Sequence, residues 1–214
     1  MRFHLVYSGR LSASGNNAKP AAVASIRDTF HAQLEELWRV HRVLKRLRST
    51  AIVPRKEFEG LAVAETPFQV ERDVEAYPAR EDEVDLTAPI VDGGKSYVPL
   101  VRKSLDLNCS LSIQFLRQED PGELVLQGGD LDNRLKTLFD ALAIPKREFR
   151  HEYPQQHDKT YCLLESDSLI ANFDVSTGRL LFPQSTHPHE VHIVIEAHIH
   201  LLRVGPWNLP LLGD

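Results

Sequence analysis

The sequence predicts an α/β protein: a mixed β-sheet packed with a long N-terminal helix and a short acidic helix. Apolar and polar residues alternate in three well-separated runs, near residues 2–7, 105–115 and 191–199, which is the period of a half-buried strand. Apolar residues recur at threes and fours near 21–48 and 131–142, which is the period of a helix with one buried face. The two kinds of segment are interleaved along the chain, as an α/β architecture requires.

Phe3, Leu5 and Tyr7 alternate with Arg2, His4 and Val6 in a strand that stops at Ser8-Gly9. After the polar loop Ser14-Gly15-Asn16-Asn17, Val23, Ile26, Phe30, Leu34, Leu37, His41 and Leu44 form one helical stripe from about Ala21 to Arg48. At 1.5 Å per residue that stripe is roughly 40 Å long. His41 reads as a core or interface histidine. Arg39, Arg42, Lys45, Arg46 and Arg48 gather at the C-terminal end, where they complement the helix dipole or meet a DNA backbone.

From about 52 to 101 the periodicity lapses, and Pro54, Pro67, Pro78, Pro89 and Pro99 punctuate an acidic stretch, so an insertion or lid is expected there. Gly93-Gly94-Lys95-Ser96 is not a phosphate-binding loop, because the leading glycine of that motif would fall on Pro89. Leu105 to Phe115 is the clearest strand. A loop then enters Gly128-Gly129-Asp130, where Asp130 is placed to cap a helix running to about Ala143. Leu131, Leu135, Leu138 and Leu142 form its buried stripe, with Phe139 at the flank; Asp132, Lys136 and Asp140 climb a line beside it. Residues 144–160 are proline-broken and basic, with Lys146, Arg147, Arg150 and Lys159. Two strand-like runs follow, about Tyr161 to Val175 and Arg179 to Phe182, separated by a turn at Ser176-Thr177-Gly178. The last strand buries Val191, Ile193, Ile195, Ala197 and Ile199 and turns His192, His198 and His200 outward; no third ligand is spaced to complete a metal site with His198 and His200.

The length suits a single domain, 1–214, carrying the acidic insertion and the basic loop. Cys109 and Cys162 are too few for a disulfide framework and read as buried thiols of a reducing cytoplasm. No signal peptide opens the chain, and no apolar run approaches membrane-spanning length. A net charge of −5 argues against coating nucleic acid through bulk charge, but the charge is unevenly spread. Residues 1–50 hold nine Lys or Arg against three acids, while residues 57–92 hold eleven acids against Arg72 and Arg80. A local basic surface for phosphates is therefore compatible with an acidic total. The acidic block either lies away from such a surface or folds over it as a mimic of DNA.

On a plain account Asp130 caps, Asp132 favours the positive end of the helix dipole, and Lys136 pairs with its neighbours. The whole string says more. Asp130-Leu131-Asp132-Asn133, then Lys136 and Asp140-Ala141-Leu142, resembles the signature of the RusA-type Holliday-junction resolvases, and Ser166-Asp167-Ser168-Leu169-Ile170 resembles that family's second acidic segment. The resemblance covers the core elements in order. It departs from the family in the 52–101 insertion, in a longer link from Asp140 to Asp167, and in Gln127-Gly128-Gly129, where basic residues commonly precede the first Asp.

The resemblance implies a RusA-like fold and a homodimer. It also implies a Mg²⁺-dependent endonuclease that hydrolyses phosphodiester bonds in branched DNA during recombination or repair, with Asp130, Asp132, Lys136 and Asp167 catalytic and Asp140 in support. Asp130, Asp132 and Asp167 would hold the metal, Mg²⁺ or alternatively Mn²⁺, since carboxylates suit hard cations. Glu165, two residues before Asp167 and thus on the same face of a strand, is a further candidate ligand. Arg39, Arg42, Lys45, Arg46, Arg48, Lys146, Arg147, Arg150 and Lys159 would meet DNA. No organic cofactor and no membrane partner are expected. Two alternatives stay open: a catalytically silent DNA-binding or assembly protein of prophage or defence origin, and a metal nuclease acting on RNA or simpler DNA.

Overall fold

A computed structural model describes residues 1–11, 20–48, 50–52, 69–71, 88–118, 130–146, 157–182, 190–204, 208 and 211; the side chains of residues 46–52, 69–71 and 130 lie outside that description. In chain order the elements are β1 (Arg2–Arg10), α1 (Pro20–Val40), α2 (Arg42–Arg48), β2 (Thr50–Ile52), β3 (Gln69–Glu71), β4 (Ile90–Asp92), β5 (Lys95–Val101), β6 (Leu107–Arg117), α3 (Asp130–Leu142), β7 (Lys159–Leu164), β8 (Ile170–Arg179) and β9 (Glu190–Leu201). The protein is mixed α/β. No helix among the described residues is long and apolar enough to cross a membrane.

Four strands form a sheet in the order β1-β9-β6-β8, with β6 parallel to β8 and antiparallel to β9. A second sheet, β4-β5-β7, pairs β5 with β7 in parallel, and among the described residues β2 pairs with β3. The alternation read from sequence is the cause of the first sheet's two faces. Leu5, Leu107, Cys109, Leu111, Ile113, Phe115, Val191, Ile193, Ile195 and Ala197 are buried, and their alternates are left in partial contact with water. β1 is an edge strand, and the Gln33 side chain of α1 covers part of that edge by accepting from Val6 N–H (2.9 Å) and donating to Val6 O (2.7 Å).

The long N-terminal helix has a one-residue interruption at His41. Hydrogen bonds from His41 N–H to Leu37 O and from Lys45 N–H to His41 O (both 2.9 Å) carry the helical ladder across it. Val23, Ile26, Phe30, Leu34 and Leu44 are buried as the stripe predicts, and Trp38 is buried beside the half-buried Leu37. Cys109 and Cys162 are buried free thiols, and burial pushes both up to about 12.

Three segments differ from their sequence reading. The stretch read as an insertion ends before 101: β4 and β5 are a hairpin, and Val98, Leu100 and Val101 belong to the core. Pro99 is tolerated in β5 because β4 pairs only as far as Tyr97, so the missing N–H falls where no strand of the described residues pairs on that side. The buried Arg102 fastens the hairpin by donating to Pro99 O and Ala88 O. Most of the acidic block, 53–68 and 72–87, lies outside the described residues.

The second difference is Gly178, expected in a turn but found within β8, opposite Leu116 of β6. A Cβ there would stand 2.7 Å from Leu116 Cδ2, so a larger residue would require the end of that side chain to turn aside. Of the strand expected over 179–182 only Arg179 is in a strand, as the last residue of β8, and Leu181 and Phe182 are exposed. Third, the run 161–175 is two strands, β7 and β8, joined through a single 3₁₀ turn at Asp167–Leu169.

Candidate active site

Helix α3 follows its sequence pattern. Leu135, Leu138, Ala141 and Leu142 are buried, while Asp132 and Lys136 face solvent. Arg134, on the inner face, is buried and donates to Leu11 O, which ties the helix to the end of β1. The C-terminus of α3 meets α1. The buried Arg27 donates to Asp140 O (2.6 Å), supplying a cation where the helix leaves carbonyls without intrahelical partners.

Past its last turn the chain docks on the end of β7. Ala143 bridges Leu164, and Ile144 N–H donates to Leu164 O (3.1 Å), so two buried residues lead straight to Pro145 and Lys146. Beyond β7, Glu165 N–H donates to Val101 O (2.9 Å), and Ser166 holds the next turn by accepting from Ser168 N–H at its Oγ (3.3 Å) and from Leu169 N–H at its O (3.1 Å). The consequence is that residues just beyond a shared backbone bridge meet. Lys146 Nζ lies 3.4 Å from Asp167 Oδ2 and 3.7 Å from Asp140 Oδ1. Phe139 of α3 and Phe173 of β8 pack edge to face with centroids 5.2 Å apart, which joins the helix to that strand.

The Asp140 carboxyl sits above the usual aspartate range. Burial is the main cause; Lys146 opposes it, the charge on Asp167 adds to it, and Lys136 and Arg27 pull the other way. Asp140 is thus the partly desolvated member of the pair, at 27% side-chain exposure against 42% for Asp167. Its ion pair is with Lys146, whereas the sequence pairs it with Lys136, which acts on it through space. Asp132 lies on the same helix about 12 Å of axial rise before Asp140.

Glu165 does not share a strand face with Asp167. β7 ends at Leu164, the period of two ends with it, and Glu165 Oε2 accepts from Lys103 N–H (2.8 Å) instead. Among the described residues no three His, Cys, Asp or Glu side chains are grouped to hold a metal ion; the side chain of Asp130 lies outside them. At the described corner two carboxylates from different elements have an ammonium between them; of the acids that the resemblance assigns to the metal, Asp167 is the one placed there, and its carboxylate oxygens are the donors a hard divalent ion takes.

Of the basic residues assigned to DNA, Lys146 is at the carboxylates and Lys159 is exposed at the start of β7. Arg42 and Lys45 are exposed on α2, but Arg39 is tied to Glu36 by two hydrogen bonds of 2.7 and 2.6 Å. Arg147 and Arg150, and the side chains of Arg46 and Arg48, lie outside the described residues.

Sequence reading passed over a second ionisable cluster. His31, buried on α1, accepts from Tyr161 N–H at Nδ1 (3.0 Å), which leaves the proton of the neutral ring on Nε2, 3.8 Å from Glu35. His157 packs against it with the rings tilted by 34° at a centroid distance of 4.0 Å, and reaches Asp28 at 3.8 Å. The available signal was weak: Arg27 and His31, four apart, flank the apolar stripe and read as its solvent margin. On the open face of the four-stranded sheet, His198 and His200 lie 4.0 Å apart, and His200 Nε2 is 2.9 Å from Ser110 Oγ.

No family model, curated protein or solved structure matches this chain.

Proposed function

We propose that the chain is a Mg²⁺-dependent endonuclease that hydrolyses phosphodiester bonds in branched DNA, with a Holliday junction as the expected substrate. One observation carries this reading: Asp140, from the acidic helix, and Asp167, distant in sequence, flank a single ammonium group. The helix thus brings one of its acids to within a single lysine of the acid that the resemblance assigns to the second segment.

Mg²⁺ would be held by Asp130, Asp132 and Asp167. When bound, it supplies Lewis-acid polarisation of the phosphoryl oxygen and a more acidic water. Lys136, exposed one turn beyond Asp132, is positioned along the helix to meet a phosphate and stabilise the charge that builds on its oxygens. Arg27 holds the end of α3 through Asp140 O, so that the acids stay in register with Asp167. The exposed Arg42, Lys45 and Lys159 are candidates for backbone contacts along the DNA arms. Homodimerisation and a cytoplasmic setting belong to this reading through the family resemblance.

A non-cutting DNA-binding protein is favoured by one specific fact: Lys146 already answers the charge of both acids. The experiment is incubation of the purified protein with a four-way junction, a flap, linear duplex and the matching RNA, each with and without Mg²⁺. Cleavage of the junction that requires Mg²⁺, and is abolished by Asp132→Asn while junction affinity is kept or tightened, is expected. Tight binding without cleavage under every condition would transfer the protein to the silent class, and cleavage confined to RNA would change its substrate.

A further inference from the structure

Lys146 is set in place by the backbone. Ala143, Ile144 and Pro145 are buried against the end of β7, so the chain reaches the surface at residue 146 with little freedom of direction. Asp167 is fixed as firmly on the other side, through Glu165 N–H on Val101 O and the hydrogen-bonded turn at Ser166. The Lys146 side chain is 51% exposed and bridges two carboxylates, one of which is itself half-buried. A lysine so held does what a bound cation does. It lies within ion-pair distance of both carboxylates and so offsets the repulsion between two like charges.

We propose that Lys146 is a tethered counter-ion of the acid site, seated between Asp140 and Asp167 in the metal-free protein and displaced by the divalent ion when that ion binds. The inference rests on the nuclease reading and adds to it a control on loading. The ammonium and the metal compete for Asp167, so the affinity of the site for metal is lower than its carboxylates alone would give. Displacement frees a cation beside the site, at the distance of one flexible side chain, where a phosphate entering with the DNA can take it up. Asp140 keeps its tie to α1 through Arg27 in either state.

The competition has a readout that does not depend on cleavage. Mn²⁺ binding to the full chain at neutral pH, followed by electron paramagnetic resonance or calorimetry, is compared among wild type, Lys146→Met and Lys146→Arg. Methionine keeps the stem and removes the charge; arginine keeps the charge. A unit charge about 4 Å from a carboxylate in water is a roughly fivefold effect, so Lys146→Met should bind Mn²⁺ about five- to tenfold more tightly. Lys146→Arg should stay within about twofold of wild type, because a guanidinium competes as the ammonium does. Equal affinity in wild type and Lys146→Met, or weaker binding in Lys146→Met, overturns the proposal while leaving the metal site itself intact. If neither protein binds Mn²⁺ more tightly than the Asp132→Asn, Asp167→Asn double variant, the metal reading fails and this inference with it. Circular dichroism and the urea midpoint confirm that each variant is folded.

Discussion

The carboxylate corner at Asp140 and Asp167 and the imidazole pair at His31 and His157 hang from the same two elements, yet they treat charge in opposite ways. Arg27 and His31 are one turn apart on α1 and both are buried; Arg27 reaches the acids through Asp140 O, and His31 reaches β7 through Tyr161 N–H. At the acids, charge is kept at the surface and answered by Lys146. At His31 the ring is held below its ordinary value, first by burial and next by His157, with Glu35 and Asp28 pulling less strongly the other way. A group kept neutral and hydrogen-bonded to backbone is a fastening. A pair of carboxylates left partly in water and answered by an exposed lysine is, on the proposed reading, where a ligand would exchange with that lysine.

The sharpest way to break this contrast is to remove one acid and one fastening and to measure both cleavage and stability. Asp167→Asn should lower junction cleavage by at least about 100-fold, since the metal-linked charge stabilisation it supports is worth several kcal/mol. It should leave the urea midpoint nearly unchanged, because the pair with Lys146 is half-exposed. His31→Leu should do the reverse. It strands the Tyr161 N–H in the interior at a cost of about 1–3 kcal/mol, with cleavage per folded molecule close to wild type. If Asp167→Asn unfolds the protein as readily as His31→Leu, both clusters are structural and the division between them disappears.

The same contrast has a pH signature. Because the folded chain holds His31 below its ordinary value near 6.5, the unfolded chain takes up this proton at a higher pH than the folded one. The contribution of neutral His31 is therefore full above about pH 6.5 and is lost as pH falls through the range between the unfolded and the folded values, at up to about 1.4 kcal/mol per pH unit. Urea titrations at pH 7.5 and 5.5 should show wild type losing more stability than His31→Leu over that interval. Equal losses would assign the acid sensitivity to other groups.

Much of this was legible in the sequence where one physical cause acts alone. The alternation of Leu107 to Phe115 and of Val191 to Ile199 places those strands because one face is buried and the other wet. The α3 stripe holds for the same reason. β5 was not legible, because its residues from Tyr97 to Val101 are buried on both faces and leave no period to read, and Pro99 resembled a break. Gly178 differs from its sequence reading because a glycine paired within a strand ladder, here opposite Leu116, looks in sequence like one demanded by a turn. At the candidate site the helix signature was visible on its own, whereas Lys146 was not. Its role depends on the Ala143 and Leu164 bridge, a contact between segments that sequence spacing does not encode.

The smallest expected effect separates basic residues that are free to meet phosphate from one that is already committed. Arg39 is bound to Glu36 through both its Nε and one terminal nitrogen, and Arg42 and Lys45 lie just beyond it on α2. Each phosphate neutralised by a free cation adds a slope of about −0.9 to log affinity against log salt, which is roughly threefold between 50 and 200 mM. Arg42→Ala and Lys45→Ala should each flatten the slope by about that amount, and Arg39→Ala by much less, since the Glu36 carboxylate already cancels its charge. Glu36→Gln provides the converse: with its acid removed, Arg39 becomes a free cation and the slope should steepen toward one further phosphate. Anisotropy titrations of a labelled junction in Mg²⁺-free buffer measure all four. Slopes unchanged in every variant would remove the end of α1 and α2 from the DNA face and leave Lys159, with the chain around it, as the surface to test next.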